Sequence, residues 1–313
     1  MAARSGIDHR WSVLPPTVDG GSPVAEDGFY AGDDHPGTAA RMVHYAEAAP
    51  DLALGAIAAL GANAALDGIT HLVVASCTGF VAPGIDQIIA RRLGLSPSVE
   101  RLLVGFMGCY AGVVALRSAR HIVRSEPRAR VLVVAVELST LHLQQADGVE
   151  PLLAMLQFGD GAAAALVTAD VGGFALGEPF ATTLPDSHAL IRWDITDQGF
   201  AMHLSGEVPA RIATGLADAD FALAATGGRT PGEIDGWAVH AGGRSILDAV
   251  ENALALPPAA LMAARTVLRN HGNMSSATLL FVLERLIETR VENGVALAFG
   301  PGLAAEGFGF RSA

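Results

Sequence analysis

The sequence predicts an α/β chain made of two matching halves, and three observations carry that prediction. Short apolar, β-branched runs alternate with longer stretches of helical spacing. The markers of the first half recur in the same order in the second. At 313 residues and 51% hydrophobic, the chain exceeds the size at which one compact core usually suffices. We place the halves at residues 1–172 and 173–313.

Taken in order, residues 11–40 are rich in Pro, Gly and Asp and read as loop, with AGDDHPG their most polar part. Residues 39–66 are Ala-rich with helical spacing. THLVVAS (70–76) is a strand, followed by a loop, by Pro83 near a helix start and by the amphipathic IDQIIARRLGL. RLLVGF leads into a second such unit with Cys109 at its junction, and ARVLVVAVE (129–137) reads as a buried strand. In the second half IDGWAVH (234–240) is a strand, GRSILDAVENALAL and NMSSATLLFVLERL are helices, and GVALAFGPGLAAEGFGF is a closing strand pair around a Gly-Pro-Gly turn.

The halves overlay. Cys77 follows its strand as His240 follows its own, and Cys109 opens its helix as Asn273 does; the separations are 109 − 77 = 32 and 273 − 240 = 33 residues. The strand pairs beginning FGDGAAAALV at Phe158 and FGPGLAAEGF at Phe299 also correspond. Equivalent loops of two such halves meet at the centre, where a composite site can form.

Composition excludes several functions. The chain holds twenty arginines and no lysine, which removes Schiff-base chemistry and the lysine of a phosphate-binding P-loop. A net charge of −12 opposes a general nucleic-acid surface, although an anionic ligand needs only a few local arginines. No apolar run reaches the roughly 18 residues of a membrane span, and MAARSGIDHR shows no signal core, so we expect a cytoplasmic protein. Two cysteines make no disulfide framework, and no His spacing suggests a metal.

Three residues could do chemistry. Cys109, in VGFMGCYAGVVALRSA, has glycines on either side and a helix beginning beside it; amide dipoles there stabilise an anion by about 0.3–2 kcal/mol and would lower a thiol's pKa. The plainer alternative is a small buried residue in a close-packed turn. His240 closes WAVH ahead of AGG, a place suited to a general base, although a lone histidine is commonly just a hydrogen-bonded group. Asn273, in RNHGNMSSATLLFVLERL, is also what an ordinary helix N-cap requires.

ITHLVVASCTGFVAPGID, VERLLVGFMGCYAGVVALR, ARVLVVAVELS, FGDGAAAALV, WAVHAGGRSILDAVE, HGNMSSATLLFVLE and AFGPGLAAE together resemble the type III polyketide synthases, the group that includes chalcone synthase, and most closely its bacterial members. The resemblance runs from residue 69 to the C-terminus. It implies the thiolase fold, a five-layer αβαβα homodimer, and iterative decarboxylative condensation of malonyl-CoA onto an acyl-CoA starter, with no metal and no bound cofactor. By motif, it makes Cys109 the nucleophile, His240 and Asn273 its partners, and Phe158 a gatekeeper. The second gatekeeper, Phe in plant relatives, is Met202 here. Cys77, Thr78, Ser139, His142 and Ser275 match cavity-lining positions, and Phe299, Gly300 and Pro301 belong to a loop forming the cavity wall.

Two departures stand out. Ala298 replaces a glycine of that loop, and SGIDHRWSVL matches a segment that follows an N-terminal strand and helix in relatives, so we expect that strand and helix, with some CoA contacts, to be missing. Three other readings stay open. A ketoacyl synthase of the fatty-acid initiation type shares triad and fold. A papain-like protease also runs Cys, His, Asn, with 240 − 109 = 131 residues in its usual range, but its signature and disulfides are absent. An inactive thiolase-fold protein is the third.

Overall fold

Helix, sheet, helix, sheet, helix is the order of the layers in the computed structural model, which describes residues 5–32, 35–145 and 148–313. The two aspartates of AGDDHPG lie outside the described residues. The first sheet has the order β2 (Glu100–Gly105), β1 (His71–Ser76), β3 (Val131–Leu138), β4 (Asp160–Val167), parallel except for the antiparallel β3–β4 pair. The second has the order β5 (Phe174–Thr183), β10 (Ala304–Ser312), β9 (Gly294–Gly300), β8 (Gly236–Val239), with β8–β9 parallel. A hairpin of β6 (Ile191–Thr196) and β7 (Gly199–Leu204) stands apart from both sheets.

Helix α1 (Thr38–Gly61) and the short α2 (Ile85–Arg92) lie on the outer face of the first sheet. α3 (Ala111–Ser125) and α9 (Thr278–Leu286) fill the middle layer, each touching strands of both sheets. α4 (Val149–Gln157) packs on β7. α5 (Val208–Ala217), α6 (Ala219–Ala225), α7 (Arg244–Ala253) and α8 (Met262–His271) build the far side.

Covering a sheet on both faces explains why β1 and β3 read as unbroken apolar runs instead of alternating ones. Val73, Ala75, Val131, Val133 and Ala135 join the core shared with the second sheet, while Leu72, Val74, Leu132, Val134 and Val136 join the core beneath α1. Every second side chain points the opposite way, and both directions are dry.

The matching of halves is visible in the strand relations. The parallel β1–β3 pair followed by antiparallel β4 is repeated by β8–β9 and β10. Among the described residues it is incomplete at both edges. β5 lies against β10, whereas no described strand lies against the equivalent side of β4, and β2 beside β1 has no described counterpart beside β8. Among the described residues, no helix is long and apolar enough to cross a membrane.

Candidate active site

Cys109 sits in a 3-10 turn, Gly108–Tyr110, between β2 and α3. Phe299 and Gly300, expected in a loop, are the last residues of β9, and Pro301 opens the 3-10 turn after it; Gly108 has φ +68°, and a Cβ there would lie 2.6 Å from Pro301 Cδ, so only glycine lets the Cys109 turn approach that corner. Gly112 does the same at the start of α3, because a Cβ would lie 2.4 Å from the Ser276 carbonyl oxygen. The glycines that mark Cys109 in the sequence therefore seat it against two loops of the other half.

His240 follows β8 directly, held by its N–H donating to Leu297 O at 2.8 Å. Its side chain is buried, and neither Nδ1 nor Nε2 has a hydrogen-bond partner among the described residues. Asn273 comes after α8 and the left-handed Gly272 (φ +70°). Its Nδ2 donates to Gly242 O at 3.2 Å and lies 4.0 Å from Cys109 Sγ, and its Oδ1 accepts from Ser275 N at 2.8 Å. Asn273 is not a helix N-cap, since Met274 stands at that position of the 3-10 turn Ser275–Ala277 and Ala277 at that of α9; its oxygen steadies the backbone at Ser275, and its amide nitrogen faces the thiol. Ser275 has φ +48°, an uncommon conformation for a residue with a side chain.

A cavity of about 110 Å³ joins these groups. All thirteen residues assigned to the site from the sequence line it: Cys109, His240 and Asn273, together with Cys77, Thr78, Ser139, His142, Phe158, Met202, Ser275, Phe299, Gly300 and Pro301. Phe158 reaches it from the end of α4, paired with Asn273 through an isolated parallel bridge. Met202 enters from β7. The remaining wall is largely apolar and includes Ile191, Leu204, Val208 and Ile246.

Electrostatics correct one expectation. We expected helix dipoles to lower the Cys109 pKa; instead burial pushes the thiol up from 9.0 to about 11, against hydrogen bonds from Ser275 and Asn273 that pull it down. The dipole effect, at most about 2 kcal/mol or 1.5 pH units, is too small to win where the thiol is buried. The residue's partial exposure is to the cavity it lines. Burial likewise lowers His240 to about 3. Among the described residues no hydrogen bond joins Cys109 to His240, and burial favours the neutral form of each.

Two further features were not assigned from the sequence. Glu137, fully buried at the end of β3, accepts from Cys77 N at 3.0 Å, Cys77 Sγ at 3.4 Å, Thr78 Oγ1 at 2.8 Å and the Ser276 hydroxyl. A carboxylate closing an otherwise apolar strand was the available signal. Burial raises the pKa of both Glu137 and Cys77, and Cys77 Sγ lies 3.3 Å from Ser275 Oγ. The second feature is an aromatic wall on the β6–β7 hairpin, which carries no local motif. Trp193 stacks on Phe200 at 5.1 Å and Phe200 on His142 at 4.1 Å. His142 Nε2–H donates to Thr78 O at 2.6 Å, and its Nδ1 accepts from Phe200 N at 3.0 Å.

Two family models match the chain: the N-terminal domain of chalcone and stilbene synthases over residues 34–171 and the C-terminal domain over residues 176–313. The sequence is 34% identical over 279 residues to the alpha-pyrone synthesis polyketide synthase-like Pks18 of Mycobacterium tuberculosis, a match that covers 85% of this chain and 70% of that protein. The crystal structure of PKS-I from the brown alga Ectocarpus siliculosus superposes with a TM-score of 0.88 at 31% identity, covering 99% of this chain and 87% of that one. CsyB, solved in complex with CoA-SH, superposes with a TM-score of 0.84 at 25% identity, covering 100% and 89%.

Proposed function

Because the chain belongs to the chalcone and stilbene synthase family of type III polyketide synthases, and shares their thiolase-like fold, we propose that it condenses malonyl-CoA onto an acyl group carried by Cys109. The observation that carries this reading is the Asn273 amide 4.0 Å from the Cys109 sulfur, in one cavity with a buried imidazole whose two nitrogens have no partner among the described residues.

In the first step Cys109 attacks the thioester carbonyl of a starter acyl-CoA. Its proton passes to His240, whose ring nitrogens have no other partner among the described residues. The acyl group is left on Sγ, and the departing CoA thiolate takes the proton back. Malonyl-CoA then loses CO₂, and the electron pair of the broken bond forms an enolate. His240 Nε2–H and Asn273 Nδ2–H would hold its oxygen, one such donor being worth about 2.7–4 kcal/mol. The enolate carbon attacks the Cys109 thioester, the thiolate leaves, and the lengthened chain, now on CoA, can be reloaded. Phe158 and the apolar wall exclude water, so that the thioester is not lost to hydrolysis. CoA in the CsyB structure supports the choice of acyl carrier.

We also propose a homodimer. The edge strand β2 exposes Leu102 and Leu103, and Phe80 and Phe106 stand exposed beside it, an apolar surface that a second copy would cover. Sedimentation at micromolar concentration tests it; a monomer refutes it.

The chemistry is tested by intact-mass measurement after incubation with an acyl-CoA panel and malonyl-CoA. The expected result is an acyl adduct on the native chain and none on Cys109→Ala. An adduct that persists on Cys109→Ala refutes the assignment. Turnover with malonyl-acyl carrier protein but not with malonyl-CoA would instead place the chain with the fatty-acid initiating ketoacyl synthases.

A further inference from the structure

Residues 8–13 form neither helix nor strand, yet they are bound at almost every position to the two loops that carry Phe158 and Asn273. Asp8 N and His9 N both donate to Arg269 O, at 2.8 and 3.1 Å, and Trp11 Nε1 donates to Asn270 O at 3.1 Å, all at the last turn of α8. On the other side Asp160 N donates to Trp11 O at 2.8 Å, and Val13 N donates to Asp160 Oδ2 at 2.8 Å.

Arg10 lies at the centre. Its Nη1 donates to Met155 O at 2.9 Å and Phe158 O at 3.0 Å. Among the described residues no carboxylate lies within ion-pairing distance of it, Asp160 acting on it only from further away, so the hydrogen bonds it makes go to backbone carbonyls. Its stem passes between two glycines: a Cβ on Gly159 would lie 3.4 Å from Arg10 Cβ, and one on Gly272 would lie 3.0 Å from Arg10 Cγ. Those glycines flank the bridge in which Asn273 N donates to Gln157 O at 2.8 Å and Gly159 N donates to Asn273 O at 3.0 Å. The bridge is only two bonds wide, and the strap lies across it.

We propose that residues 8–13, through Arg10, are a positioning strap that fixes the separation of Phe158 and Asn273 without touching substrate. The inference rests on the reading that Asn273 holds the enolate formed from malonyl-CoA while Phe158 keeps water from it. A loop pair fastened only by its own two hydrogen bonds would open easily, and a displacement of an ångström at a reacting group costs up to about a hundredfold in rate. Cys109 and His240 are seated by other elements, so the strap reaches the thiol only through the Asn273 amide and acts chiefly on decarboxylation.

The experiment compares the full chain with Arg10→Met, which keeps the stem and loses the donors, and with Arg10→Lys. Hydrogen exchange by mass spectrometry is followed in peptides covering residues 157–160 and 271–275, alongside CO₂ release from malonyl-CoA and alkylation of Cys109. For Arg10→Met the expected result is exchange faster by about tenfold in those two peptides alone, kcat for decarboxylation lower by about tenfold, and KM and alkylation within about twofold. Arg10→Lys should recover most of the decarboxylation. Unchanged exchange in the two peptides overturns the strap. So does a parallel fall in decarboxylation, alkylation and melting temperature, which would make Arg10 a general stabiliser. If the native chain releases no CO₂, the functional reading fails, and the exchange data still decide whether the strap exists.

Discussion

Replacing His142 by glutamine should remove about 2 kcal/mol of acid sensitivity from this protein. His142 makes both its hydrogen bonds as a neutral ring, donating from Nε2 to Thr78 O and accepting at Nδ1 from Phe200 N–H. A proton on Nδ1 would set one donor against another. Burial, the largest cause, lowers its pKa from 6.5 to about 4. The folded state therefore binds protons later than the unfolded chain, and the stability involved is complete above pH 6.5 and is lost as pH falls towards 4. Between pH 7 and pH 5 the unfolded histidine gains about 1.5 pH units of protonation free energy that the folded one does not, or about 2 kcal/mol. Glutamine can donate to Thr78 O and accept from Phe200 N without titrating. Urea unfolding at pH 7 and pH 5 measures the effect; His142→Gln should lose about 2 kcal/mol less than the native chain over this interval. His240, lowered to about 3, and Asp160, raised to about 6, titrate alike in both proteins and cancel in the difference. Equal losses in the two chains would refute the argument.

Alkylation of Cys109 by iodoacetamide in the ligand-free protein should rise about tenfold per pH unit from pH 7 to 9, since a thiol raised to about 11 is almost wholly protonated there; a plateau would show a preformed thiolate. Glu137→Gln places an amide where Cys77 N, Thr78 Oγ1 and the Ser276 hydroxyl all donate, and should cost about 1–3 kcal/mol in urea unfolding. Gly112→Val drives a side chain into the Ser276 carbonyl, so a loss of about 1–3 kcal/mol with lowered turnover is expected, and unchanged turnover would detach the Ser275 turn from the chemistry.

Much of this was legible because the relevant signals are local. β1, β3, β8 and β9 are short apolar runs, and their boundaries lie within two residues of those read from composition. The helix read over residues 39–66 stops at Gly61, since the following ANAALDG offers no further apolar stripe. Eleven of the thirteen named residues that line the cavity, all but His142 and Met202, fall in the seven family motifs, at strand ends and glycine turns. In the segment from β5 to α6 only Met202 was read, and no element was assigned. Its strands are half-exposed and of mixed composition, and the contribution of Trp193 and Phe200 arises only when the hairpin folds over His142. The thiol's upward shift was missed for a related reason: a dipole can be inferred from neighbours in sequence, whereas burial is a property of the assembled pocket.

The indole of Trp193 belongs to the cavity wall, while Trp237 is sealed in the core and Trp11 is exposed at the surface. With three tryptophans in the chain, a water-borne quencher can silence Trp11 and leave one emitter that is blind to ligands and one that faces them. An acyl chain settling against the Trp193–Phe200 stack would then announce itself in the native fluorescence, giving starter selection an optical readout that needs neither turnover nor a label.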